Sequence, residues 1–177
     1  MLSFFISLNI YSQTTNSISK DTLKEKSLTM FRQLFWNNLP KPTNWTNDYE
    51  DLYTNVEEIK LDSIITKFEL ETTIEIAIVT INTTKTSEEK FEELSLHIAQ
   101  IWGVGKKDKD NGILIAISKG YRKIKIQNGN GIEKIITDNE TKEIIDNYFI
   151  PDFKKGNYYD GTLKGLVELI KLLKSKT

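Results

Sequence analysis

The stretch that decides the fold is residues 74–81, Ile-Glu-Ile-Ala-Ile-Val-Thr-Ile. It is β-branched and almost continuously apolar, which predicts a strand buried on both faces of a sheet. Residues 113–117, Ile-Leu-Ile-Ala-Ile, predict a second strand of the same kind. Between the two, residues 91–101 place Phe, Leu and Ile at helical spacing. Together they predict a βαβ unit with a parallel, right-handed crossover.

A hairpin extends this unit on its C-terminal side. Residues 123–127, Lys-Ile-Lys-Ile-Gln, follow a Lys119-Gly120 turn and alternate like a strand with one wet face. Three strands are few for a sheet, so a fourth is expected within residues 44–54 or 131–137. Helices are predicted over about 22–36 and 55–70, from Asp138 to Pro151, and from Gly161 onward. The predicted class is α/β: a three-layer α/β/α sandwich whose mixed sheet has one βαβ crossover and a hairpin.

Composition excludes several classes of function. The 24 Lys and Arg nearly cancel the 25 Asp and Glu, and no basic stripe marks a nucleic-acid binder. The densest basic cluster, Lys171, Lys174 and Lys176, is interpreted as the solvated face of the last helix. The absence of cysteine excludes disulfides, thiolate catalysis and cysteine-based zinc sites. The single histidine, His97, has no triad arrangement around it, and we expect no catalytic role for it.

The N-terminus predicts export. Residues 1–13 are apolar before the chain turns polar, as in the remnant of a secretory signal peptide, although no positive segment precedes them. The alternative is an N-terminal strand or an ordinary terminus. Residues 14–37 are interpreted as a polar linker followed by an amphipathic helix, and residues 38–177 as the main domain. The predicted location is periplasmic or otherwise extracytoplasmic, and no later run approaches the roughly 18 apolar residues that a membrane helix needs.

An acidic loop precedes the second buried strand. In Lys106-Lys107-Asp108-Lys109-Asp110-Asn111-Gly112, hard oxygen ligands are followed by a glycine, a combination that calcium sites favour. The EF-hand pattern is absent, because the glycine comes one residue early and no glutamate follows at the twelfth position. The alternative is an ordinary turn, which Asp, Asn and Gly also form.

Topology favours a ligand site at this loop. The hairpin strand runs back to the edge where strand 113–117 begins, so residues 128–133 are expected beside Asp108 and Asp110. Asp138, ahead of the next helix, is expected near the same edge. The turn Gly129-Asn130-Gly131 lacks the third glycine of a dinucleotide fingerprint. The alternative for this turn is a loop that needs positive φ at both glycines.

Six motifs, in order, resemble those of the TPM domain, the family of the thylakoid-lumen acid phosphatase and the photosystem II repair proteins. They are Asn47-Asp48-Tyr49, Trp102-Gly103-Val104-Gly105, Asp110-Asn111-Gly112-Ile113-Leu114-Ile115, Gly129-Asn130-Gly131-Ile132-Glu133, Thr137-Asp138, and Pro151-Asp152-Phe153 with Gly156-Asn157-Tyr158-Tyr159-Asp160-Gly161. The similarity covers about residues 38–173. It departs from the family at Asn130, where an aromatic residue is frequent, and in lacking a C-terminal membrane anchor.

The resemblance implies a Rossmann-like sandwich in an exported or membrane-anchored protein. Some members bind calcium or other divalent ions through acidic loops, and phosphatase activity is attributed to the thylakoid member. Carried over by motif, the implied metal ligands are Asp48, Asp110, Asn111 and Asp138. The acidic loop adds Asp108.

Two functions follow as alternatives, beside a third interpretation as a protein-interaction domain whose acidic loop is only a solvated turn. The first is a non-catalytic module that binds a divalent cation, calcium or else magnesium or manganese, and acts as an accessory or assembly factor with a protein partner. The second is a metal-assisted acid phosphatase acting on phosphate monoesters, with Asp110 or Asp48 as nucleophile or ligand and Lys106 or Lys107 neutralising charge. We favour the first, because the chain has no paired-metal histidines and no aspartyl-phosphate motif. No catalytic residue is assigned.

Overall fold

The computed structural model describes the backbone of residues 5–177 and the side chains of residues 20–177. The chain forms two compact units, Met1–Asn38 and Leu39–Thr177. The first unit is helix α1, Phe5–Asn37. It includes residues 14–21, which were expected as a linker, because no proline or glycine interrupts the segment. Residues 1–4 of the predicted signal-peptide remnant lie outside the described residues.

The second unit is built on a mixed sheet. Its strands, in spatial order, are β1, Thr46–Asp48; β2, Glu75–Thr80; β3, Gly112–Ser118; and β4, Lys123–Asn128. The first three are parallel, and β4 runs antiparallel to β3. The βαβ unit and the hairpin predicted from the sequence are therefore confirmed. The fourth strand lies within residues 44–54, where Asp48 pairs with Thr80.

Helices cover both faces of this sheet. They are α2, Asn55–Thr72; α3, Phe91–Trp102; α4, Asn130–Glu133; α5, Asp138–Ile144; α6, Ile150–Phe153; and α7, Tyr158–Lys176, with a π-helical turn, Ile145–Phe149, between α5 and α6. Within the described residues, no helix combines the length and apolarity that crossing a membrane requires.

The alternation of side chains along the strands assigns each helix to a layer. The odd-numbered isoleucines of β3 share one core cluster with apolar residues of α2 and α7. On the other face, Gln127 of β4, which pairs with Leu114, donates a hydrogen bond of 2.7 Å to Ser95 of α3. The fold is therefore the predicted three-layer α/β/α sandwich. The strands β1, β2 and β3 are neighbours in chain order, but α2 and α3 cover opposite faces of the sheet. The crossovers β1–α2–β2 and β2–α3–β3 therefore have opposite hands, and only one of them is right-handed.

Two helix boundaries differ from the prediction. Pro151 lies in α6, directly after the π-helical turn, rather than ending a helix. Gly161 lies inside α7 rather than at its start. A Cβ on Gly161 would be 2.6 Å from the Phe153 ring, so close packing explains this glycine.

Candidate functional site

Two loops meet where β3 begins and β4 ends, which we call the amino edge. The backbone N–H of Gly131 donates to the carbonyl oxygen of Asp110 at 2.9 Å. The N–H of Gly129 donates to the carbonyl oxygen of Gly112 at 2.8 Å. The acidic loop therefore lies against the turn of residues 128–131, as the hairpin topology predicts.

The glycine motifs of this edge are explained by the closeness of the two backbones. A Cβ on Gly112 would lie 1.9 Å from the carbonyl oxygen of Val104, and one on Gly131 would lie 2.0 Å from that of Lys109. A Cβ on Gly129 would lie 2.3 Å from the Asp110 oxygen. Neither Gly129 nor Gly131 has a positive φ, so the interpretation of the turn as needing that conformation is wrong. Both glycines are needed for space.

Asn111 has a structural role at this edge. Its buried carboxamide donates to the carbonyl oxygen of Thr73 at 2.8 Å and accepts from the N–H of Lys106 at 2.8 Å. These bonds close the acidic loop onto the end of α2. The side-chain oxygen of Asn111 is thus already bonded to the protein.

The acidic loop presents its carboxylates to solvent. Asp108 and Asp110 are both exposed, and Asp110 holds a left-handed backbone conformation at φ 47°. Neither carboxylate has an ion-pair partner within residues 20–177. The adjacent Lys106 is bound instead by Glu75 and Glu69 at 2.5 and 3.0 Å, and these bonds raise the pKa of the lysine. The two aspartates of the loop are therefore unpaired in the described part of the chain, and the remaining lysines, Lys107 and Lys109, balance their charge.

A further oxygen donor lies beside the loop. Asn128 and Asp110 line the same cavity of about 490 Å³. The Oδ1 atom of Asn128 is buried and has no hydrogen-bond partner within the described residues, while its amide group donates to Thr141 at 3.0 Å. A buried carbonyl oxygen without a donor is ordinarily satisfied by water or an ion. Sequence reasoning named this segment for its glycines and missed the amide oxygen.

The other predicted ligands lie elsewhere. Asp48 ends β1, at the opposite, carboxyl edge of the parallel strands. One of its oxygens accepts from the Thr80 hydroxyl at 2.5 Å, and the other accepts from the N–H of Tyr53 at 2.8 Å. Asp138 opens α5 and lines a separate cavity with Glu133, although Asn128 borders that cavity too. Asp108, Asp110 and Asn111 thus lie in one loop, Asp138 shares a cavity with Asn128 but not with Asp110, and Asp48 lies at the opposite edge.

The described carboxylates at the amino edge do not form a cage. Within the described residues, no group of three or more His, Asp or Glu side chains is placed to hold a metal ion. The amino edge offers two carboxylates and one amide oxygen, the hard ligands that calcium and magnesium accept. Waters would complete the coordination.

The carboxyl edge has features that the sequence did not reveal. Glu50 accepts hydrogen bonds from the N–H groups of Lys119 and Gly120 at 2.8 and 3.1 Å, closing the β3–β4 turn. Burial raises the pKa of its carboxyl above the usual value, against the opposing effect of these two bonds. Beside this turn is a cavity of about 530 Å³ lined by Lys119, Arg122, Lys123 and Lys154. By contrast, the C-terminal lysines singled out in the sequence bind carboxylates: Lys171 to Glu168, Lys174 to Glu71 and Lys176 to Glu140.

Comparison with known proteins identifies relatives. The sequence model of the TPM domain matches residues 46–172. No curated protein matches the chain. The solved N-terminal domain of a P. gingivalis protein is 26% identical, with a TM-score of 0.68 over 75% of this chain and 83% of that one. The BA42 protein of Bizionia argentinensis is 23% identical, with a TM-score of 0.62 over 72% and 86% of the two chains. The N-terminal domain of a Corynebacterium glutamicum protein is 15% identical, with a TM-score of 0.55 over 79% and 84%. The last two likenesses concern the fold alone.

Proposed function

The chain belongs to the TPM domain family, and on that premise we propose that it is an exported, non-catalytic accessory module that binds a divalent cation at its amino edge. Calcium is the preferred ion of this proposal, with magnesium or manganese as alternatives. The ligands are the carboxylates of Asp108 and Asp110 and the amide oxygen of Asn128.

The observation that carries the proposal is the buried, unpartnered Oδ1 of Asn128, a residue that borders both the cavity lined by Asp110 and the cavity lined by Asp138 and Glu133. The surrounding charges support it. Lys106 is neutralised by Glu69 and Glu75, and Lys109 extends to the Thr73 hydroxyl at 3.0 Å. Two of the three lysines next to the aspartates are therefore held against the α2–β2 connection rather than against the proposed ion.

The number of ligands sets the expected affinity. Calcium sites gain affinity with the count of charged ligands and with rigidity, and weak sites in extracellular modules have dissociation constants of about 10⁻⁴–10⁻³ M. Two carboxylates place this site in that range. Such an affinity suits an extracytoplasmic accessory module with a protein partner, because a weak site is filled only where the ion is plentiful.

The phosphatase alternative has less support. Both oxygens of Asp48 already accept hydrogen bonds, and Lys106, expected to neutralise substrate charge, is bound to two glutamates. A metal-assisted displacement needs a nucleophile held next to the ion. The amino edge has no such group beyond the proposed ligands.

Thermal unfolding in calcium tests the proposal. At ten times the dissociation constant, an ion that binds only the folded state stabilises it by about 1.4 kcal/mol. We expect this gain in the natural chain and its loss in the Asp108→Asn/Asp110→Asn variant. Hydrolysis of a phosphate monoester in calcium, magnesium or manganese is expected to stay at the rate without protein. Equal stabilisation of both chains, or turnover abolished by Asp110→Asn, would contradict the proposal.

A further inference from the structure

A second cavity lies at the opposite edge of the sheet from the proposed cation site. It occupies about 530 Å³ where the β3–β4 turn faces α6 and the start of α7. Four cationic side chains line it, contributed by two segments about thirty residues apart: Lys119, Arg122, Lys123 and Lys154. In open α/β sheets, ligands bind in the crevice outside the carboxyl ends of the parallel strands, which is where this cavity lies.

Most of this positive charge is not neutralised by the protein. Within residues 20–177, no carboxylate forms an ion pair with Lys119, Arg122 or Lys154. Lys123 lies 3.6 Å from a carboxylate oxygen of Glu88. The nearby Glu50 carboxylate accepts hydrogen bonds from the amides of the turn, and its charge also acts on Lys119. The chain has a net charge of only −1, so an unpaired group of cations on one cavity is a local feature, not a consequence of overall charge.

The start of α7 adds to the positive potential. This helix has 19 residues, and its N-cap residue, Asn157, makes no side-chain capping bond. The first turn of such a helix carries a partial positive charge, although the N–H of Tyr158 itself donates to the carbonyl oxygen of Gly156 at 3.1 Å. Tyr158, the first residue of α7, lines the cavity.

An aromatic wall completes the cavity. The rings of Phe153 and Tyr158 are stacked, with centroids 4.7 Å apart. The ammonium of Lys119 lies 5.8 Å from the centroid of the Tyr158 ring, close enough for a cation–π interaction. The cavity therefore offers cations for an anionic group and an apolar surface for the part that bears it.

We propose that this cavity binds a phosphate-type oxyanion borne on an apolar or aromatic body. Arg122 and Lys154 supply charge and hydrogen bonds, and the Phe153–Tyr158 stack contacts the body of the ligand. The proposal concerns binding alone, because neither Asp48 nor Glu50 lines the cavity. The source of the oxyanion is a soluble ester or the headgroup of an anionic lipid.

Titration of the full chain with phenyl phosphate, followed by amide chemical shifts, tests the proposal. Saturable shifts are expected in residues 118–123 and 150–158, weaker ones with inorganic phosphate, and none with phenol. Lys154→Gln is expected to weaken phenyl phosphate binding about tenfold. Lys134→Gln, which removes an exposed lysine elsewhere, leaves it unchanged.

Arg122→Gly separates binding from folding. Arg122 has φ 53°, a conformation that glycine adopts without strain. This variant is expected to be at least as stable as the natural chain and yet to bind phenyl phosphate about tenfold more weakly. If Arg122→Gly folds normally and binds phenyl phosphate as the natural chain does, the role of Arg122 and the proposal are both overturned.

Vesicles distinguish the two sources. Binding to phosphatidylglycerol vesicles but not to phosphatidylcholine vesicles, lost in Lys154→Gln, identifies the lipid headgroup. Phenyl phosphate binding without vesicle binding identifies a soluble ester. If the chain binds neither phenyl phosphate nor phosphatidylglycerol vesicles, the proposal is overturned. It is also overturned if Lys134→Gln weakens binding as much as Lys154→Gln does. Because Asp108 and Asp110 are not involved, an absence of calcium binding at the amino edge would leave this proposal unaffected.

Discussion

The backbone N–H of Gly131 donates to the carbonyl oxygen of Asp110 at 2.9 Å, and this bond joins the acidic loop to the turn after β4. It is possible because neither glycine of that turn has a side chain: a Cβ at Gly131 would collide with Lys109. The glycines of the motifs at this edge are thus packing requirements. They allow the close approach that positions Asp110.

Gly112→Ala tests this packing. Its Cβ would meet the Val104 carbonyl at 1.9 Å, so we expect the free energy of unfolding to fall by about 3 kcal/mol. Gly103→Ala is the control: nothing lies within 4 Å, and only the strain at φ 66° remains, costing about 1 kcal/mol. Urea denaturation measures both, and equal losses would show that space at Gly112 is unimportant.

In Gly165→Ala, a gain in helix propensity competes with a loss from overpacking. Alanine in the middle of α7 should gain about 1 kcal/mol of helix stability, but its Cβ would lie 2.0 Å from the buried ring of Phe149. We expect overpacking to prevail, with a net loss of about 2 kcal/mol in denaturant unfolding. The loss should shrink in a Phe149→Leu background, as a double-mutant cycle would measure. A stabilised Gly165→Ala protein would contradict the packing.

Asn111→Ala should destabilise the fold whether or not calcium is present. The change leaves the Thr73 carbonyl and the Lys106 N–H without their partner, which costs about 3 kcal/mol in total. Asn130→Ala, in the exposed part of the neighbouring turn, is the matched control and should change little. Chemical denaturation in EDTA and in calcium gives the comparison. A loss confined to calcium-containing buffer would instead make Asn111 a ligand.

Stability should depend on pH through Glu140. Its bond to Lys176, with lesser contributions from the amide and hydroxyl of Thr137, lowers the pKa of this carboxyl to about 2. A carboxyl whose pKa is lower in the folded state stabilises the fold above its unfolded pKa of about 4.3, and that contribution disappears as the pH falls through about 2. Glu140→Gln should therefore lower the melting temperature at pH 6 and flatten its dependence on pH between 4.5 and 2. Glu143→Gln, exposed on the same helix, should retain the slope of the natural chain.

The sequence predicted the elements whose signal is local. The β-branched runs of β2 and β3 and the alternation of β4 identify a mixed sheet without any knowledge of contacts. Strand β1 is only Thr-Asn-Asp and has no such signal. Its place depends on distant partners, since the N–H of Thr46 donates to Asp62 and that of Ile78 to the Trp45 carbonyl.

The same distinction applies to the candidate sites: contacts that follow from local sequence could be predicted, and those that depend on distant partners could not. The meeting of Asp110 with Gly131 follows from a hairpin that returns to its starting edge, so it could be predicted. Asp48 could be placed only once β1 was known to run parallel to β2, which puts it at the other edge. The cationic cavity combines Arg122 with Lys154 across more than thirty residues, and no local pattern marks it.

The measurement that tests the central claim most directly is a calcium titration of the metal-free protein followed by amide chemical shifts, repeated on Asp110→Asn and Asp51→Asn. Asp51 is matched to Asp110: both are exposed, and their φ angles are 51° and 47°. We predict saturable shifts confined to residues 106–112 and 128–131, lost in Asp110→Asn and retained in Asp51→Asn. No saturable shift at millimolar calcium, or the same response in both variants, would contradict a cation site at the amino edge.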